Sequence, residues 1–217
     1  MSTMPHGFNA VTVTRLTGLT YRKLGYLDRI GLVKPSIRQA TGSGSRRVYS
    51  FEDLVSLRVL AEARLSGISL QALRTAIEHL QKRQAAGRKP IARLSLTWHG
   101  KQLFVRTDNP KTLEDLTAGG QFAMVLPVEK IVRDLGKQVT EISAPRRFTV
   151  KAKGREFEAI ATPDLEAGGY TIEILGAPGC FSEAESMRDA PREAREALEA
   201  YFGAGVPVDA HHKRIAR

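Results

Sequence analysis

The residues of this chain that could do chemistry fall into three groups, and only one of them makes a pattern. The first is basic and mixed with tyrosine. Thr20, Tyr21, Arg22, Lys23 and Tyr26 lie in one short run, and Arg46, Arg47 and Tyr49 follow a Gly-Ser stretch further on. Arginine and lysine donate to phosphate oxygens and to guanine, and tyrosine adds a hydroxyl, so the combination suits a nucleic-acid surface. The second group is His6, His79, His99, His211 and His212, which show no metal-ligand spacing with carboxylates or Cys180. The third is Glu156, Glu158, Glu173 and Glu183, acids of the kind a nuclease uses to hold metal ions, here without an active-site pattern. There is no G-x-S-x-G and no Gly-rich loop between a strand and a helix. The expectation is a binding protein and not an enzyme, with no cofactor and no metal. Cys180 is the single cysteine. It cannot close a disulfide within the chain, suits a reducing compartment, and is expected to be structural in its Pro-Gly-Cys-Phe loop.

Charge gives the basic group its context. The chain has 217 residues and a formal charge of +10. Residues 1–90 hold 15 Lys+Arg against 5 Asp+Glu, residues 91–142 hold 7 against 6, and residues 143–217 hold 11 against 12. The entire excess lies in the first segment, the footprint expected of nucleic-acid binding, although a membrane surface or an acidic protein could also use it. No stretch reaches the roughly 18 to 20 apolar residues of a membrane span, and the first ten residues do not read as a secretory signal. A cytoplasmic location without membrane association is the expectation.

Local signals say which elements must position these residues. Val13 and Leu16 start a short helix that Gly18 breaks; Thr20 caps a second, running to about Arg29 and stopped by Gly31. Two helices around a Gly-containing turn form a helix-turn-helix, whose second helix is the one offered to a major groove. SIRQATGSGSRRVYS then reads as a wing with a returning strand at Arg46–Tyr49. Ser50 and Asp53 form a capping box before a helix with Leu54, Leu57, Leu60, Ala61 and Leu65 inward. Gly67 ends it, Ser69 caps another helix running to about Ala86, and Gly87 with Pro90 marks a boundary. RLSLTWHGKQLFVRT is a hairpin, DNPKTLEDLTAGG is turn-rich, and QFAMVLPVEKIVRDLGKQV is a short strand and a helix from Pro127 to about Leu135. RRFTVKAKGREFEAIAT is a hairpin turning at Lys153-Gly154, GGYTIEILG is a third strand, and DAPREAREALEAYFG is a helix with Ala194, Ala197, Leu198 and Tyr201 on one face.

The run LTGLTYRKLGYLDRIGLVKPS, the wing RRVYSFEDLVSLRVL and the helix GISLQALRTAIEHL together resemble the DNA-binding domain of MerR-type transcription regulators, over residues 10–82. Thr17, Gly18, Leu24, Tyr26, Gly31, Leu32, Pro35, Arg47, Tyr49, Ser50 and Asp53 fit the family pattern; Gly25 stands where Arg is usual and Leu27 where an aromatic is usual. The resemblance implies double-stranded DNA as partner. Thr20, Tyr21, Arg22 and Lys23 would lie at the base-reading end of the recognition helix, with Tyr26, Arg46, Arg47 and Tyr49 on phosphates. For Tyr26 and Tyr49 the alternative is core packing. MerR relatives often dimerise through a long helix after the winged domain, which Gly87 and Pro90 cut short here, and metal sensing needs more thiolates than Cys180 supplies.

GGYTIEILGAPGCFSEAESMRDAPREAREALEAYF resembles HicB-type antitoxin domains, which have a truncated ribonuclease-H-like fold and block a small basic RNA-cleaving toxin. Residues 156–200 carry 11 acids and 3 Arg, which suits a basic partner. HicB antitoxins usually carry their DNA-binding segment after this domain, whereas here a MerR-like one precedes it.

The expected architecture is a multidomain α+β chain. Residues 1–88 form an all-α winged helix-turn-helix, 91–142 a small α+β module, 145–203 a HicB-like antiparallel sheet plus helix, and 204–217 a basic tail. The expected function is a sequence-specific, MerR-type DNA-binding regulator, a homodimer on a palindromic operator, acting as a repressor. The alternative is an antitoxin that neutralises a small toxin and autoregulates its operon.

Overall fold

The structure is a computed structural model that describes residues 6–42, 45–71, 73–74, 96–99, 102–106, 113–115, 124–125 and 128–204. It divides into two compact units, His6–Val139 and the residues from Thr140 onward.

The first unit opens with β1 (Phe8–Asn9) and α1 (Ala10–Thr17). Asn9 caps α1 by accepting from Thr12 N at 2.9 Å, and Gly18, at φ +71°, ends it in the left-handed conformation that glycine adopts without steric cost. Helix α2 (Tyr21–Arg29) starts from Thr20, whose hydroxyl accepts from Lys23 N at 3.3 Å. It buries Leu24 and Leu27 and packs on α1. Strand β2 (Val48–Tyr49) pairs antiparallel with β1, and Arg38 and Val48 exchange backbone hydrogen bonds of 3.1 and 2.9 Å across the base of the wing. The unit is therefore not purely helical: these two short strands close the wing onto the helices.

Helix α3 (Phe51–Leu65) runs through the core, burying Leu54, Val55, Leu57, Val59, Leu60 and Ala63. Arg58 ties it to α1 through Leu16 O at 3.1 Å and pairs with Glu62 at 3.0 Å. Leu65, expected inside, is 83% exposed. It is the last residue of α3, just before the turn at Gly67, so no further helical turn covers it. Helical backbone resumes at residue 70, with Leu73 buried; the remainder of the stretch expected to be helical to about Ala86, and the Gly87–Pro90 boundary, lie outside the described residues.

The capping box at the start of α3 is also the anchor of the wing. Ser50 Oγ accepts from Asp53 N at 3.2 Å, while Asp53 Oδ2 accepts from Ser50 N at 2.9 Å and Ser36 N at 2.8 Å and lies 2.7 Å from Ser36 Oγ. One carboxylate thus starts a helix and holds the chain where the wing begins. An N-cap is worth about 1 kcal/mol and a hydrogen bond to a charged group about 1.5 to 3. Asp53→Ala is expected to cost about 2 to 3 kcal/mol, and Asp53→Asn less because one acceptor remains. Urea unfolding of the first unit measures both; equal midpoints for Asp53→Ala and wild type would remove the anchor role.

Next come β3 (Leu96–His99) and β4 (Gln102–Arg106), the expected hairpin. The stretch expected to be turn-rich contains β5 (Leu113–Asp115), and β6 (Met124–Val125) completes a sheet of order β5-β4-β3-β6. Helix α4 (Val128–Ser143) passes straight through Gly136, where a stop near Leu135 was expected. The apolar series Ile131, Leu135 and Val139 continues at four-residue spacing and is buried, and one interior glycine costs a helix only about 1 kcal/mol.

The second unit is an antiparallel sheet with one helix. Strands β7 (Arg146–Ala152), β8 (Arg155–Pro163), β9 (Tyr170–Ile174) and β10 (Phe181–Ala184) pair in the order β10-β9-β8-β7. Lys153 (φ +47°) and Gly154 (φ +73°) make the two-residue turn between β7 and β8, the backbone a primed hairpin turn requires. Strand β10 was not expected; the Cys-Phe stretch read as a loop. Helix α5 (Ala190–Gly203) lays Ala190, Ala194 and Leu198 onto Val150, Phe157, Ala159, Ala161 and Ile172. Full burial of a leucine such as Leu198 contributes about 1.5 to 3 kcal/mol. Cys180 is buried in the same core, and that burial raises its thiol pKa.

Candidate nucleic-acid interface

The interface is built on α2 and the wing. Thr20 acts locally as the N-cap, so the first turn of α2 has its orphan N–H groups partly satisfied and its side chains turned outward. Arg22 and Lys23 are exposed there, Tyr21 is 61% exposed, and Tyr26, one turn on, is 45% exposed. Arg22, Tyr26 and Arg29, spaced i, i+4 and i+7, form one exposed stripe along the helix. Arg46 is exposed at the wing. Ile37, 45% exposed, is an apolar side chain at the wing base that the charge pattern did not flag.

Arg47 and Tyr49 differ from these. Tyr49 is 1% exposed and belongs to the core, which resolves its two readings in favour of packing. A side chain with no surface has nothing to offer a phosphate. Burial pushes the phenol from 10 up to about 12, opposed by the neighbouring Arg47 charge and supported by Asp28. The hydroxyl lies beside the Arg47 guanidinium, which favours its ionised form, but completes no hydrogen bond of good geometry among the described residues. Arg47 is turned back onto α2: its Nε lies 3.3 Å from Asp28 Oδ2 and its guanidinium carbon 5.7 Å from the centre of the Tyr21 ring. Asp28 was missed at the sequence level, since nothing local links position 28 to position 47.

The acids considered as metal ligands lie on the sheet of the second unit. Glu158 pairs with Arg147 at 2.7 Å and Glu156 with Lys151 at 2.8 Å across β7 and β8. Among the described residues no group of three or more His, Cys, Asp or Glu is arranged to hold a metal ion. A cavity of about 550 Å³ in this unit is lined by Asp164, Tyr170, Glu183, Glu185, Asp189 and Arg192, among others, and is mainly acidic. Among the described residues no helix is long and apolar enough to cross a membrane.

Two short helices around Gly18, an outward-facing basic second helix and a wing closed by β1 and β2 define a winged helix-turn-helix. Residues 9–80 match the MerR HTH family regulatory proteins, so this segment is a MerR-family helix-turn-helix domain. The chain is also similar to proteins described as uncharacterized HTH-type transcriptional regulators from Mycobacterium tuberculosis and Mycobacterium bovis. It is 34% identical to each over 160 residues, which is 74% of this chain and 66% of theirs. The match therefore spans just under two thirds of those relatives' length. No solved structure matches the chain.

Proposed function

We propose that this protein is a sequence-specific, double-stranded-DNA-binding transcriptional regulator of the MerR type, acting as a homodimer on a palindromic operator and as a repressor. The observation that carries it is the exposed first turn of α2, where Arg22 and Lys23 stand free of the core beside Tyr21 and Tyr26. A recognition helix reads base edges from this end, and phosphate contacts from Tyr26 and Arg46 would fix register. The concentration of net charge in the first 90 residues supports the same reading. The later segments would supply dimerisation and signal reception.

A dimer calls for half-sites separated by multiples of roughly 34 to 36 Å. If about 8 phosphates are neutralised, log affinity should fall against log salt with a slope near −7. The test is selection of genomic DNA by the full-length chain beside Arg22→Ala/Lys23→Ala. Recovery of a palindromic motif, lost in the double variant, is the expected result. No motif together with a slope near zero would overturn the reading. Transcription from the recovered promoter, with and without protein, separates repression from activation.

A second reading, an antitoxin with a HicB-like second unit, is supported by the acidity of residues 156–200 and of the cavity beside α5. It predicts a stable complex with a small basic protein encoded next to this gene. Failure of every adjacent product to form a complex on coexpression would exclude it.

A further inference from the structure

We propose that Arg47 is a positioning residue, acting through Asp28 to latch the wing onto the recognition helix, and not a contact to DNA phosphate. The proposal rests on the DNA-binding reading above for its function, but its geometry stands apart from it.

Tyr21, Gly25 and Asp28 are spaced i, i+4 and i+7 and lie along one stripe of α2. Arg47, from the strand side of the wing, meets all three. It pairs with Asp28 Oδ2 at 3.3 Å and stands 5.7 Å from the Tyr21 ring centre. At Gly25 a Cβ would stand 3.5 Å from Arg47 Nη1 and 3.6 Å from Nη2, so the guanidinium lies directly over the helix at that position. A Cβ there would make only ordinary van der Waals contact, so what the position shows is how closely the guanidinium approaches the helix.

The guanidinium is also committed inward. Side chains of Arg47 and Asp28 are only 19% and 23% exposed, and Arg47 Nε and Nη1 are buried. A phosphate reaching Arg47 would have to compete with a carboxylate already beside it. Arg22, Tyr26 and Arg29, by contrast, are exposed along the outward stripe. The latch spans the two DNA-facing elements, so its effect on binding would be to keep helix and wing at one fixed separation.

This gives opposite signs for one substitution. Asp28 is an acid beside a surface meant for a polyanion, so by charge alone Asp28→Ala should tighten DNA binding. If Asp28 holds Arg47 in place, the same change should weaken it. The experiment uses the full-length chain and the duplex recovered by the selection above. Affinity and salt slope are measured for wild type, Asp28→Ala, Asp28→Asn, Arg47→Ala and the Asp28→Ala/Arg47→Ala pair, with Arg46→Ala as a phosphate-contact control and thermal melting as the check on folding. The expected result is a loss of about tenfold in each single variant, no further loss in the double variant, and salt slopes equal to wild type. Arg46→Ala should instead lower the slope by about 1. Tighter binding by both Asp28 variants, or a slope reduced by about 1 in Arg47→Ala, would overturn the proposal.

A readout without DNA keeps the two readings apart. The Arg38 and Val48 amides, bonded to each other's carbonyls across the wing base, should exchange hydrogen faster in Asp28→Asn and Arg47→Ala than in wild type. Unchanged exchange in both would overturn the latch even if DNA binding holds. If wild type recovers no DNA motif, the regulator reading fails while the exchange rates still decide whether Arg47 fastens the wing.

Discussion

Tyr49→Ala is expected to destabilise the winged unit by about 3 to 5 kcal/mol, while Tyr49→Phe leaves it as stable as wild type or slightly more so. Tyr49 is among the largest fully buried side chains, and truncating a buried aromatic to alanine costs about 3 to 5 kcal/mol. Domains of this size are stable by only about 5 to 15 kcal/mol in total, so the loss is a large fraction of the whole. Phenylalanine keeps the ring and removes only the hydroxyl, which completes no hydrogen bond of good geometry among the described residues. A buried polar group left unpaired carries a penalty of about 1 to 3 kcal/mol, and deleting it relieves part of that. A loss above about 1 kcal/mol in Tyr49→Phe would instead assign the hydroxyl a real partner, with Arg47 beside it the first to suspect.

The same residue gives a pH dependence of known sign. Its folded pKa, about 12, lies above the ordinary 10. A raised pKa means that the folded state holds the proton more tightly than the unfolded chain does. The contribution is fully present below pH 10 and is lost as pH rises toward 12, because the unfolded phenol ionises first. The loss is on the order of 2 kcal/mol by pH 12, and Tyr49→Phe should not show it. Denaturant midpoints of the two proteins between neutral and strongly alkaline pH check this directly.

The second large effect is expected at Gly169, where alanine should destabilise the second unit by about 3 to 4 kcal/mol. Gly169 has φ +81°, and a Cβ there would stand 2.5 Å from the Ala184 carbonyl oxygen and 3.4 Å from the Glu185 Cα, both backbone atoms that no rotamer change can move aside. The residue sits where the chain turns back into β9, held by Asp164 N donating to Gly169 O at 3.0 Å, so the backbone cannot easily swing away. Gly154→Ala is the matched control. Its φ is +73°, but nothing among the described residues comes within 4 Å of the added carbon, so it carries the backbone cost alone, about 1 to 2 kcal/mol. Calorimetry should place the Gly169→Ala transition well below that of Gly154→Ala, with the first unit unchanged in both. Equal transitions would mean that the Ala184 carbonyl yields.

Local chemistry made much of this readable in advance. Gly18, Thr20, Gly31, the Ser50–Asp53 box and the Lys153-Gly154 turn act within four residues of themselves, so their signals survive folding unchanged. What escaped notice depends on distance. Strand β10 is four residues long with Phe181 60% exposed, and only its pairing with β9 makes it a strand. Helix α4 outruns its glycine because buried contacts outweigh a small propensity cost. At the candidate interface, charge and spacing singled out Arg22, Lys23, Tyr26 and Arg46, which are exposed, but could not separate Tyr49, which the strand pairing turns inward. Nor could they show that Arg47 lies on Asp28, since that contact joins residues 19 positions apart through the third dimension.

Helix α2 has nine residues. Isolated helices shorter than about 12 to 15 residues are marginal in water, so this one owes its order to Leu24 and Leu27 held against α1. A peptide cut from it should be largely unstructured and should carry the proposed DNA-reading side chains without the shape that presents them. On the proposed reading, recognition and folding of the first unit are one cooperative property. Substitutions at buried positions that offer no side chain to a ligand, Leu24 or Leu57 for example, should act as temperature-sensitive alleles, with intact contacts when cool and none when warm.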